Sequence, residues 1–157
     1  MTTAIDEIAA CRWMYLHAIS EPRDNSLRLV LHEAVSGGPP SQDLLDDHPP
    51  EMRHILAASA AIEHRPGCRV FELVWNHCLA YCVLDESYAV GEPASSVGRI
   101  RGIAREYTSS AYLDYLSRAA RQPDFQGPVT HWAVSCLNHI VDVASADAPR
   151  VAVSIAR

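Results

Sequence analysis

At 157 residues, with 48% hydrophobic and 20% charged positions, the chain carries enough apolar material to bury a core without staples. Its net charge of −6 argues against binding bare nucleic acid, which needs a basic face for phosphates, and suits solubility or a basic protein partner. All 13 basic residues are arginine, which excludes a Schiff-base enzyme, a P-loop and a kinase built on its usual strand lysine.

The first residues, MTTAIDEIAACRW, have no basic start and no apolar centre, and Asp6 and Glu7 stand where one would lie. A secretory signal is therefore not expected. No apolar run approaches the roughly 18 residues of a membrane span. Five cysteines (Cys11, Cys68, Cys78, Cys82, Cys136), an odd number among apolar neighbours, read as reduced and mostly buried thiols in the cytoplasm.

In chain order, residues 11–19 and 26–35 flank the turn-rich EPRDN, and Leu27, Leu29 and Leu31 alternate with Arg28, Val30 and His32 as a strand does. A hairpin is expected, although residues 3–19 also allow a short helix at their start. Residues 36–50 read as a Pro-rich acidic loop containing Asp43, Asp46 and Asp47. Pro50 then suits a helix first turn, and Met52, Ile55, Leu56 and Ile62 at helical spacing predict a helix over 51–63. Strands are expected near 69–75 and 79–86. Asn76-His77 is read as a tight turn between them, or as a kink in one long strand. Residues 88–108 read as irregular, with Arg99 and Arg101 in a small basic cluster. A cap among Thr108, Ser109 and Ser110 starts a helix over 110–120. A strand over 129–143 and a last one over 150–155 complete the pattern.

The order ββαββαββ lacks the alternation of a doubly wound sheet. It predicts one α+β domain over 1–157, a mainly antiparallel sheet with two packed helices.

The stretch GPVTHWAVSCLNHIVDV, residues 127–143, looks for the most part like a buried strand, yet it carries His131, Cys136, Asn138, His139 and Asp142. On an unbroken strand His131 and His139 share one face roughly 26 Å apart, at about 3.3 Å per residue. Trp132, Val134, Cys136, Asn138 and Asp142 share the other. Cys78, Cys82, Cys136 and His139 tempt a zinc reading. They lie in strand-like runs without the glycines of zinc knuckles, so buried thiols are expected, with no metal and no cofactor. No catalytic residue is assigned; were the protein an enzyme, His131 would be the candidate general base, with Glu86, Asp114 or Cys136 as its partner. If the 110–120 helix covers it, a structural hydrogen bond from His131 toward the Ser110–Asp114 turn is expected instead.

The segments WNHCLAYCVLDESYA, SSAYLDYL and GPVTHWAVSCLNHIVDV resemble those of an uncharacterised family of small bacterial proteins of about this length. The most specific part is G-P-x-x-H followed by C-L-N-H-I-x-D-V. The resemblance covers roughly the last 90 residues, not the first 65, and implies no activity. It marks Trp75, Tyr81, Glu86, Ser110, Asp114, His131, Asn138, His139 and Asp142 as shared positions.

Two functions fit these observations. The first is a non-catalytic protein, immunity-like or adaptor-like, that docks a basic protein through Asp43, Asp46, Asp47, Arg99 and Arg101. The second is a small cytosolic hydrolase with His131 as base.

Overall fold

Leu27, Leu29, Leu31, Phe71, Leu73 and Trp75 are all buried, and their period of two sets both the strands that carry them and the face those strands bury. The computed structural model describes residues 4–90, 93, 96–120 and 127–157, except for the side chains of residues 4, 5, 100 and 101. The fold is α+β with mainly antiparallel sheets, as expected from sequence. The finer order is different: among the described residues there are ten strands in two sheets.

In the first sheet, β1 (Trp13–Ser20), β2 (Leu27–Ser36), β4 (Arg69–Trp75) and β10 (Arg150–Ile155) are neighbours in that order, and the short β3 (Ile62–Glu63) pairs the end of β2. The expected β1–β2 hairpin is present, preceded by the short helix α1 (Ala4–Ala9). The second sheet runs β5 (Cys78–Asp85), β9 (His139–Ser145), β8 (Thr130–Ser135), β7 (Ala104–Ser109), β6 (Val97–Arg101). One apolar cluster draws Leu29, Phe71 and Trp75 from the first sheet and Trp132, Val134 and Val143 from the second. The sheets therefore bury their inner faces against each other.

Five expectations need correction. The strands at 69–75 and 78–85 exist but do not pair. Asn76-His77 carries the chain from one sheet to the other, Trp75 and Cys78 both pointing into the core, and the Cys78 N–H donates to the Asn25 carbonyl at 2.8 Å. The run 129–143 is two strands, β8 and β9, turning at Leu137-Asn138, where the Cys136 N–H donates to the His139 carbonyl at 2.8 Å.

Residues read as irregular contain the β6–β7 hairpin. Its turn needs Gly102, at φ 59°, where an added Cβ would lie 2.5 Å from the Ala9 carbonyl oxygen. The helix expected over 51–63 ends at Ala57, giving α3 (Pro50–Ala57), and the acidic loop before it contains α2 (Gln42–Asp46). Neither α2 nor α3 fully buries a side chain; Leu45 and Leu56 are half-buried.

The helix over 110–120 is α4 (Ala111–Ala119), capped by Ser110, one of the three residues expected there. It leans on the outer face of the second sheet through Tyr112 and Leu116. Among the described residues, no helix is long and apolar enough to cross a membrane.

Candidate functional site

The turn at Leu137-Asn138 reverses the chain and brings Asp142 onto the face that carries His131. Asp142 pairs with Ala133 in the β8–β9 register, and His131 pairs with Ala144. Asp142 thus leaves the Trp132 face to which an unbroken strand would assign it, and His131 no longer aligns with His139 along one strand.

His131 is completely buried. Its Nδ1 lies 2.9 Å from the Ser110 hydroxyl and its Nε2 lies 2.8 Å from Asp142 Oδ1. A carboxylate only accepts, so Nε2 carries the proton toward Asp142. In the neutral ring Nδ1 then accepts the Ser110 O–H, while the Ser110 oxygen accepts the Leu113 N–H at 3.1 Å as the cap of α4. The rings of Tyr107 and Tyr112 stand 5.2 and 5.0 Å from the imidazole. Burial, then the charges of Cys82 and Asp142, push the Tyr112 phenol well above its ordinary value.

The connectivity is that of a nucleophile, a base and an orienting acid, but a nucleophile must meet its substrate. Ser110 is 2% exposed and its oxygen is committed to the helix cap. The chain of bonds pins α4 to the second sheet, which is the structural outcome anticipated if that helix covers His131.

The other proposed partners stand elsewhere. Glu86 is exposed on a 3-10 turn after β5, and Asp114 is exposed on α4, so Asp142 supplies the carboxylate at His131. Cys136 is buried on the core side, and burial pushes its thiol up to about 12, far from a thiolate nucleophile at neutral pH. Cys82 lies on the Asp142 face, away from Cys136 in the core, so the tempting zinc set is split between two faces. Among the described residues, no three His, Cys, Asp or Glu side chains gather as metal ligands do.

Asn138 joins a different partner, as its polarity required. It accepts the Leu16 N–H at 2.9 Å and donates to the Leu16 carbonyl at 3.0 Å, tying the β8–β9 turn to β1.

Asp43 and Asp46 are exposed on α2 and Asp47 is exposed at its end. Arg53 from α3 holds them in place by donating to the carbonyls of Asp46 and His48 at 3.1 and 2.6 Å. Beside these acids, Leu44, Met52 and Ile55 are open to solvent, Ile55 by 67%. Arg99 is exposed on β6; Arg101 follows on that strand, its side chain outside the described residues. The acids and the apolar side chains form one arm. Arg99 lies on an edge strand of the second sheet.

Three polar clusters escaped sequence reasoning because their members are distant in the chain. Arg69 makes two side-chain bonds to Glu33, at 2.6 and 2.9 Å, and its backbone N–H adds a third. These bonds, chiefly those from the guanidinium, hold the Glu33 carboxyl down at about 2 despite its partial burial. His17, His32 and His64 stack with centroids 3.9 and 4.1 Å apart, and burial, helped by the neighbouring imidazoles, lowers the pKa of His32.

The third cluster is the most chemical. Exposed His77 donates from Nδ1 to Asp147 at 3.3 Å, and the Ser145 hydroxyl donates to the same carboxylate at 2.7 Å. Burial alone would lift the Asp147 carboxyl; the bonds from Ser145, His77 and the nearby backbone outweigh it and hold it below its ordinary value. His77 also shares an open cleft with Arg23 and Arg150.

Compared with known proteins, the chain matches no family model, no curated protein and no solved structure.

Proposed function

We propose that the protein is non-catalytic and docks a basic protein partner, in the manner of an immunity or adaptor protein. The observation that carries this reading is the α2–α3 arm. A helix with an apolar stripe gains stability by burying it, yet Leu44, Met52 and Ile55 are between 46% and 67% exposed and neither helix fully buries a side chain. Asp43, Asp46, Asp47 and Glu51 are exposed on or at the ends of the same two helices, so the arm offers apolar contact among acidic residues. That composition fits a basic surface, and the net charge of −6 would steer such a partner in.

The hydrolase alternative loses its natural base, because His131 is sealed behind Ser110 and Tyr112. One observation favours a catalytic reading elsewhere: His77, oriented by Asp147, faces an open cleft with two arginines. An enzyme built on this fold would use His77.

The test is purification, at low salt, from the cells that make the protein. A stoichiometric complex with a basic protein is expected, cross-linking to a photoreactive residue placed at Ile55 and weakened by neutralising Asp43, Asp46 and Asp47 to Asn. A chain that purifies alone and hydrolyses an ester, with turnover abolished by His77→Ala or His131→Ala in a folded variant, overturns the proposal.

A further inference from the structure

β5 ends its sheet. It pairs with β9 on one side, and no described strand pairs with it on the other, so alternate backbone N–H and C=O groups of an eight-residue strand point outward. Such an edge templates strand pairing, and proteins ordinarily blunt it with lysine, proline, inward-pointing charge or a short strand. β5 reads CLAYCVLD and has none of these before Asp85; its one bulge lies at Leu79, near its start. Leu79, Tyr81, Val83 and Leu84 are between 37% and 46% exposed. Beyond the strand, Tyr88 and Val90 are almost fully in solvent.

The edge is flanked by clefts of different character. A notch of about 210 Å³ between Leu79, Ala80 and the α4 residues Leu116, Ala119 and Ala120 lies on the outer face. A cleft of about 260 Å³ toward Glu21, Asn25 and Ser26 lies on the other. An incoming extended chain sends successive side chains to opposite faces, and a receptacle is present on each.

The charges around the edge select its occupant. Glu21 accepts a bond from the Tyr81 hydroxyl at 2.8 Å and so sits beside the first half of β5; Asp85 and Glu86 close the second half. Self-pairing about a two-fold axis would run two copies antiparallel. Asp85 and Glu86 of one copy would then approach Glu21 of the other, and like charges set opposite each other are unfavourable. A foreign strand with arginine or lysine at both ends meets a carboxylate at each.

The geometry points to β5 as an acceptor edge for an extended segment of another protein, apolar at alternate positions and basic at both ends, joined by strand addition. This rests on the reading that the protein docks a partner, and it names how one part of that partner is held.

The test uses the full chain and the synthetic peptide acetyl-Arg-Val-Thr-Val-Thr-Val-Thr-Arg-amide, followed by amide NMR and hydrogen exchange. Saturable binding with a Kd below about 1 mM is expected. Shifts and slowed exchange should appear at alternate amides of residues 79–85. Val83→Lys and Leu84→Lys, each checked for unchanged thermal unfolding, should each weaken binding about tenfold or more, and a glutamate-ended peptide should bind as weakly.

Shifts elsewhere, no saturation, or full binding by both folded lysine variants would overturn the proposal. So would a wild-type dimer that Val83→Lys dissociates, since a second copy would then occupy the edge. A cellular complex that cross-links only through the α2–α3 arm, with no peptide binding at β5, removes strand addition and leaves the docking reading standing. A chain that is alone in the cell and enzymatically active removes the docking reading itself.

Discussion

The His131 imidazole is held between a hydroxyl that caps a helix and a carboxylate on the neighbouring strand, 2.9 Å from Ser110 and 2.8 Å from Asp142. Helix α4 and strands β8 and β9 meet at this one ring. Truncating it leaves a void and two polar groups without their partner, so His131→Ala should cost about 2–4 kcal/mol in urea denaturation. Ser110→Ala and Asp142→Ala should each cost about 1–2 kcal/mol, with coupling to His131→Ala of about 1 kcal/mol. Asp114→Ala should cost about 0.5 kcal/mol, for the lost helix-end charge, and add to His131→Ala without coupling.

Asn138 makes both hydrogen bonds of its amide to the backbone of Leu16. Asn138→Ala should cost about 2 kcal/mol, since it leaves both backbone groups unpartnered. Asn138→Asp should be no better, because a carboxylate replaces the donor that the Leu16 carbonyl needs. Thermal unfolding of the two variants beside Leu137→Ala, whose side chain is partly exposed, checks this.

These two clusters also show what the sequence made legible and what it hid. The capping chemistry of Thr108, Ser109 and Ser110 marked where α4 starts without choosing among them, and the alternating leucines marked β2. Trp132, Val134 and Cys136 were placed correctly in the core by their period alone. The reversal at Leu137-Asn138 was hidden because no glycine or proline marks it and apolar residues continue on both sides. Missing that turn put Asp142 on the wrong face and so missed the acid partner of His131. The opposite error occurred over residues 88–108, expected to be irregular, where Gly98 lies within a hairpin and Gly102 at its turn. Whether β4 pairs β5 depended on competing partners far along the chain, β2 and β10 for one and β9 for the other, which local sequence does not encode. The clusters at Glu33–Arg69 and His77–Asp147 were invisible for the same reason.

The Glu33–Arg69 pair predicts the acid limb of stability. The carboxyl falls from an ordinary 4.5 in the unfolded chain to about 2 in the fold. A depressed folded value contributes stability above the unfolded pKa and loses it as the pH falls through the folded one. Glu33→Gln should therefore destabilise by about 2 kcal/mol at pH 7, a figure reduced for partial exposure of both groups, and the deficit should shrink steadily between about pH 5 and 2. A deficit that is constant across that range would count against the pair as its source.

The cysteines should behave as a set with one outlier. Cys11, Cys68, Cys78 and Cys136 are buried, and burial above all pushes the Cys11 and Cys78 thiols up to about 11 and that of Cys136 to about 12. Only Cys82 is partly open. A thiol reagent at pH 8 should modify Cys82 first and the other four only at the rate of opening of the fold, with all five titrating after denaturation. Fewer than five free thiols in the denatured, unreduced protein would reveal a disulfide.

The crossing at Asn76-His77 bears on how the protein is made. Strands β4 and β5 leave the ribosome together, yet each enters a different layer, and each waits for a distant segment to complete its pairing: β10 for the first, β9 for the second. Loop closure over such separations is slow, and strands left unpaired meanwhile are the species that aggregate. For β5 the hazard does not end with folding, since its outward side remains open among the described residues. The same strand that must wait for β9 while the chain is being made is the one best placed, once the fold is finished, to receive a strand from elsewhere.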